Sequence, residues 1–426
     1  MTKPCDDRRM QKEFDLVVFG ATGFTGRLVA EYLQGQAAGG ADRQAGRAPL
    51  RWAMAGRNLA KLAELRRQIG APDSLPLLVA DASNAAALAS LAARTRVVIS
   101  TVGPYQRHGQ PLVSACAQTG CDYVDLCGEP GWMAQMIALL EVPARASGSR
   151  IVFSCGFDSI PFDLGVLFLQ DEAQRRFGAP LTRVRGRVRT MKGGLSGGTI
   201  ASAMATFEQM GRDPALASRL ADPFALTPGF RGPPQAEGES ASYDELARSW
   251  TGPFVMATIN TKNVHRSNAL LGHPWGRDFV YDERMLAGDG AAGQRRARRM
   301  VRSARLQNAL LGFAPSRAML RRFVLPKPGE GPDQRARETG RYEICFAGQT
   351  ATDQVLRAVV KGDRDPGYGS TARMIAEAAI CLAHDVDHQT TPGGVWTPGA
   401  AMGQLLTRRL QARAGLSFEI EASAKT

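Results

Sequence analysis

The sequence predicts an α/β protein in which a doubly wound parallel sheet is joined to a second α+β domain with a mainly antiparallel sheet. Three observations predict it. Residues 16–29 read LVVFGATGFTGRLV, an apolar strand that runs into three glycines spaced three apart and then into a helix. From 14 to about 165, short β-branched or leucine-rich runs alternate with alanine- and leucine-rich helical stretches, the rhythm of βαβ units. Past residue 169 that rhythm stops, and LTRVRGRVRT at 181–190 alternates with period two, as a strand with one wet face does.

Taken in order, the strands of the first domain are expected at 15–19, 50–55, 75–79, 96–101, 122–126 and 150–154, with helices between them. The Gln/Ala/Gly stretch at 34–49 reads as a surface insertion. GFDSIPFD at 156–163 runs from a strand into a helix, with Asp158 or Ser159 as its cap. The second domain continues through a glycine-rich loop, a Pro/Gly/acid loop at 228–242 and strand-like runs near 279–281, 341–347 and 354–361. Between these runs, 293–323 is helical in composition, with Arg295, Arg296, Arg298, Arg299, Arg302 and Arg305 and no acid. That segment reads as a solvated helix face or as a docking surface for an acidic carrier protein or anionic lipid. The tail, from GDRDPGYGSTARMIAEAAICLAHD onward, returns to a helix, followed by the loop TTPGGVWTPGAAMG and a final helix. The resulting division is a nucleotide-binding domain at 1–165, a substrate and dimerisation domain at 166–365, and a C-terminal segment at 366–426.

With 426 residues, 44% of them hydrophobic, the chain can bury a substantial core in more than one domain. A net charge of +13 favours acidic partners, but no zinc-finger or RNA-binding signature is present, so nucleic acid is not expected among them. Seven cysteines, an odd number set mostly in apolar runs, suit a reducing compartment. No run has the length of a signal h-region or a membrane span. The expected location is the cytoplasm, with contact at an anionic membrane surface left open.

Gly20, Gly23 and Gly26 form GxxGxxG, looser by one residue than the usual dinucleotide fingerprint. Their position between a strand and a helix supplies a tight turn, a close backbone approach and helix N-terminal amides for a diphosphate, the plan of a Rossmann-type domain. Thr22, Phe24 and Thr25 belong to the same turn. The second strand, LRWAMAGRN, decides the cofactor. No acid ends it to accept from ribose hydroxyls; Arg57 does, with Asn58 and Lys61 following, and a guanidinium suits a 2′-phosphate. The expected cofactor is NADP(H). Asp81 ends the third strand and either meets the adenine or caps the next helix. Thr101, Val102, Gly103 and Pro104 are expected along the crevice near the nicotinamide ribose, and Gly128 and Glu129 at the mouth of the fifth strand.

No metal site is expected. Cys116, Cys121 and Cys127 lack a CxxC pair and suit core packing, while His384 and His388 have no third ligand at the spacing of a zinc protease. GGLSGGTIAS before a helix makes Ser196, Gly197, Gly198 and Thr199 weak candidates for substrate or a phosphopantetheine phosphate, or else a plain tight turn. Tyr368, in DPGYGSTARM, either borders the pocket or only packs.

Together, VVFGATGFTG, AGRN, STVGPYQRHG, DYVDLCGE and CGFDSIPFDLG resemble the NADP-binding half of the saccharopine dehydrogenase-like oxidoreductases. The later SGGTIAS, PGEGP, GDRDPGYGSTARM and GGVWTPGAAMG resemble the branch called trans-acting enoyl reductases, so the likeness spans nearly the whole chain. It implies a C-terminal helical segment packing back toward the first domain. It also implies an acyl or polyketide thioester as substrate, carried on an acidic carrier protein or free. For such a substrate hydride goes to the β-carbon and a proton to the α-carbon, and Tyr105 and His108 are weak candidates for the polar groups that assist. A saccharopine-like C–N reductase or dehydrogenase, and a non-catalytic nucleotide-binding protein at lipid surfaces, stay open as alternatives. A homodimer stays open as well.

Overall fold

The computed structural model describes residues 12–39, 48–193, 197–323 and 331–421. Ser196, residues 40–47 of the proposed insertion at 34–49 and the PGEGP run up to Glu330 lie outside the described residues.

Two seven-stranded sheets organise the chain. The first is parallel throughout and contains β1 (Phe14–Phe19), β2 (Trp52–Gly56), β3 (Leu77–Val79), β4 (Thr95–Ser100), β5 (Asp122–Asp125) and β6 (Arg150–Val152). Their order, β6-β5-β4-β1-β2-β3, is that of a doubly wound sheet, whose crevice lies where the winding reverses between β1 and β4. β1 is buried along its whole length and β2 likewise, as strands covered on both faces must be. The helices that link them are α1 (Phe24–Ala38), α2 (Leu59–Gln68), α3 (Ala85–Ala93), the single turn α4 (Tyr105–His108), α5 (Gln110–Thr119) and α6 (Pro130–Ser147). Asn58 and Asn84 cap α2 and α3 by accepting from Lys61 N and Ala87 N.

After α7 (Ile160–Phe177) the chain enters the second sheet. β7 (Leu181–Lys192) is followed by α8 (Gly197–Met210), α9 (Pro214–Ala221), β8 (Ser242–Asp244), β9 (Ser249–Pro253) and α10 (Ala257–Leu270). Next come β10 (Val280–Gly288), α11 (Gly290–Gly312), α12 (Ala314–Phe323), α13 (Gln334–Thr339), β11 (Arg341–Thr350) and β12 (Val355–Gly362). The sheet is mixed: β10 pairs parallel with β7, and its remaining pairs are antiparallel. Val184, Val188, Ile344, Phe346 and Val360 form its buried face, against α7.

The tail departs from the helical expectation. It holds α14 (Thr371–His384) and α15 (Pro398–Arg409), but β13 (Gly394–Trp396) extends the first sheet beside β6 and β14 (Leu416–Ile420) extends the second beside β12. The nucleotide-binding sheet therefore draws a strand from far outside 1–165. Arg150 is almost wholly buried, pairs with Asp122 and donates to the Leu382 and Val386 carbonyls, so β5, β6 and the end of α14 share one charge cluster. On the other side of α14, Glu377 accepts from Tyr32 of α1 and Arg409 of α15. Among the described residues no helix is long and apolar enough to cross a membrane.

Candidate active site

Gly20 adopts a left-handed backbone, φ +86°, and a Cβ there would stand 2.5 Å from Val102 Cγ2. A Cβ on Gly26 would fall 2.2 Å from the Gly20 carbonyl oxygen, so only glycine lets α1 begin against this turn. Gly23 and Thr22 are exposed at the N-terminal end of α1, Thr25 is half-buried, and the helix has no acid in its first turn to oppose an anion. Arg57 and Lys61 are exposed just past β2, whose last residues, Ala55 and Gly56, carry no carboxylate. The glycine cradle and these two cations fit a dinucleotide bearing a 2′-phosphate.

Several expected cofactor contacts have other partners. Thr101 Oγ1 donates to the Phe19 and Gly20 carbonyls at 3.1 and 3.2 Å, and Val102 packs on Gly20, so the pair brace the turn from beneath. Phe24 meets Tyr368 edge-on at 4.7 Å and lies under the Arg337 guanidinium, tying the cradle to the second domain. Asn58 is the α2 cap. Asp81 accepts from Ser83 N and Oγ, which holds its carboxyl below the usual range, with Arg57 and His108 adding weaker attraction. Gly103 is exposed on the crevice rim and Pro104 is half-buried.

The ends of β4, β5 and β6 form a polar wall. Tyr105 is buried; its phenol donates to the Ser100 carbonyl and accepts from Leu126 N, and burial pushes its pKa well above the phenol range. Both functions of this hydroxyl are engaged within the protein, which counts against the weak candidacy of Tyr105 as a group that assists the reaction. His108 is exposed and stands near Asp81, just past β3. Glu129 does not line the crevice as a free carboxylate. Its oxygens accept from Tyr105 N, Gln106 N and Ser202 Oγ at 2.9, 2.8 and 2.6 Å, so it positions the β4 loop and α8. Gly128 is half-buried beside Met256, at the foot of α10.

Asp125 clamps this wall. It accepts from Cys127 N, Ser154 N and Tyr123 OH, while burial raises its pKa to about 7. Ser154 is held at φ +61° and donates to the Cys127 carbonyl at 2.6 Å. Asp158 follows β6 and faces Thr199 of α8; burial raises its pKa to about 6, although the Thr199 hydroxyl opposes the shift. Ser159 stands at the α7 cap position without capping, because its hydroxyl donates to the Asp158 carbonyl and accepts from Asn263. Asn260 donates to Glu283, which burial raises to about pKa 8.

The weak substrate candidates divide. Thr199 meets Asp158, Gly198 is exposed, and Gly197 N donates to the Tyr368 phenol at 2.8 Å. Tyr368 thus joins Phe24 to α8 and is part of the roof over the crevice. Ser202, Asp125, Asn260, Asn263 and Glu283 were not signalled by sequence: each is a common polar residue inside a helix or strand, and only the fold brings them to one edge.

Among the described residues, Glu343, Cys345 and Glu421 are close enough to share a metal ion. The Arg189 guanidinium already bridges the two carboxylates at 2.5 and 2.9 Å, which supplies the charge a cation would. Cys116, Cys121 and Cys127 are buried, and His384 and His388 lie near different carboxylates, Asp15 and Asp122.

Residues 16–152 match the sequence model of the saccharopine dehydrogenase NADP binding domain. A Mycobacterium tuberculosis (strain H37Rv) protein designated a candidate trans-acting enoyl reductase is 41% identical over 424 residues, covering 96% of this chain and 97% of its own. A trans-acting enoyl reductase of Mycobacterium ulcerans is 37% identical, with 94% and 96% covered. Among solved structures, apo saccharopine dehydrogenase (L-Glu forming) of Saccharomyces cerevisiae aligns over 96% of this chain and 100% of its own, with a TM-score of 0.54 and 12% identity, a likeness of fold.

Proposed function

The chain belongs to the trans-acting enoyl reductase branch of the saccharopine dehydrogenase-like oxidoreductases, and on that premise we propose that it reduces the carbon–carbon double bond of an unsaturated acyl or polyketide thioester. It is an NADP-dependent oxidoreductase. The observation that carries the finer reading is that one sheet edge presents both a cradle for a 2′-phosphorylated dinucleotide and a carboxyl, Asp158 beside Thr199, whose pKa burial raises to about 6.

When bound, NADPH supplies a hydride for the β-carbon of the substrate. The residues divide the remaining work. Gly20, Gly23 and Gly26 with the N-terminal end of α1 take the diphosphate, while Arg57 and Lys61 take the 2′-phosphate. Glu129 holds the β4 loop and, through Ser202, the α8 roof that excludes water. Asp158, half-buried beside Thr199, carries the proton and delivers it to the α-carbon as charge leaves the thioester oxygen.

A C–N reductase acting on amino-acid imines would need cations for substrate carboxylates. Arg107, on the turn that follows β4, pairs with Glu208 at 2.7 Å. Arg187 and Arg284 belong to the second sheet, where they pair with Asp244 and Asp282. Following NADPH consumption against a panel of enoyl thioesters and imino acids tests the choice: turnover is expected with the thioesters, and turnover confined to imino acids would overturn the reading.

A further inference from the structure

The segment from α11 to α12 has no role in the crevice, yet it is the most unusual surface of the molecule. The N-terminal half of α11 packs on β9 and β10 through Gly293, Ala297 and Met300. Beyond Val301 the helix leaves the body. From 302 to 310 every side chain except Ala304 is exposed. α11 ends at Phe313, whose extended backbone turns the chain directly into α12. Ser316 and Arg317 fasten the corner by donating to the carbonyls of Leu310, Leu311, Gly312 and Phe313. The corner is therefore a built element.

At its tip large apolar side chains face solvent: Leu306 at 62%, Leu310 at 40%, Phe313 at 64% and Met319 at 57%. Such a cluster on a projecting corner marks an interaction site. Behind the tip Arg295, Arg296, Arg298, Arg299, Arg302 and Arg305 are exposed, and Arg317 is half-buried. Residues 290–323 contain nine arginines and no acid, which accounts for most of the net charge of +13. None of the seven named arginines forms an ion pair with a described residue.

We propose that this corner docks the protein on an anionic lipid bilayer, with Leu306, Leu310, Phe313 and Met319 entering the acyl boundary and the arginines contacting headgroup phosphates. Charge complementarity selects an anionic partner and opposes a second copy of the chain, because a symmetric contact would set the arginine clusters against each other. Convexity selects the bilayer over an acidic protein. The apolar groups crown a bare helical corner, the shape that penetrates a deformable interface, whereas a protein partner would need a matching groove around it. Apolar burial and the attraction of the arginines to an anionic surface act together in this geometry.

The test is cosedimentation of the full-length protein with phosphatidylcholine vesicles, with and without phosphatidylglycerol, at low and high salt. Binding is expected to the phosphatidylglycerol vesicles alone, to weaken as salt rises, and to fall about tenfold or more in Phe313→Glu and in Leu306→Glu. Both variants change exposed side chains, and unaltered NADPH binding shows that they fold. Equal binding by wild type and variants, or no preference for anionic vesicles, would overturn the proposal. Capture of an acidic carrier protein without vesicle binding would overturn it as well, as would a dimer dissolved by Leu306→Glu. The readout is independent of turnover, so a wrong choice of substrate leaves it intact.

Discussion

The proposed reading gives Arg57 the cofactor preference, because β2 ends without a carboxylate and a charge-assisted hydrogen bond to phosphate contributes about 1.5–3 kcal/mol. Arg57→Ala is expected to weaken NADPH binding by about tenfold or more and to leave NADH binding unchanged, read by intrinsic fluorescence titration. Equal losses for both nucleotides would mean that Arg57 does not meet the 2′-phosphate. Asp158 makes a separate prediction. A proton donor must be protonated, so the donor limb of the kcat profile should fall as pH rises through about 6. Asp158→Asn should lower kcat by about a hundredfold and abolish that limb. The glycine turn was legible in the sequence because close backbone approach leaves a local signature. Tyr105 and Glu129 were misjudged because their roles depend on partners that local sequence does not reveal: Ser100 and Leu126 for one, Gln106 and Ser202 for the other.

Among elements, β10 shows most clearly why the second domain was harder to read. Its YDERM run looks like a solvated loop, and the strand-like signal there was confined to 279–281. Yet the strand spans Val280–Gly288 and buries Asp282, Glu283 and Arg284. Asp282 pairs with Arg187, and Glu283 accepts from Asn260 and Tyr281. Burial raises the Glu283 pKa from 4.5 to about 8, opposed by those two hydrogen bonds. The folded state therefore holds the proton more tightly than the unfolded one. The stability this contributes is complete below about 4.5 and is lost as pH rises through about 8. Glu283→Gln keeps a neutral amide in place, so the wild type should lose stability relative to this variant between those limits, by a few kcal/mol at most. Denaturant melts across that range would show it, and parallel curves for the two proteins would refute it.

At the scale of the whole molecule the tail closes the structure. β13 and β14 each complete an edge of a different sheet, and Arg150 on β6 binds both Asp122 and the end of α14. Removing Asp122 would strand a buried guanidinium, so Asp122→Ala should cost about 3–5 kcal/mol in chemical denaturation, a loss no surface pair would produce. A near-neutral result would show that the cluster is solvated. The parallel sheet and the presence of a second, mainly antiparallel one were readable from strand spacing, whereas the strand order and the tail's strands were not: GVW is three residues long and belongs to its sheet only through pairing with Arg150–Val152.

The central claim is that this crevice moves a hydride from NADPH to an enoyl β-carbon, and isotope transfer tests it most directly. Incubating the protein with NADPH deuterated at the reactive nicotinamide carbon and an enoyl thioester should give a saturated product with deuterium at the β-carbon, located by mass spectrometry or NMR. A recovered unsaturated thioester, or a saturated product without deuterium at that carbon, would contradict the account.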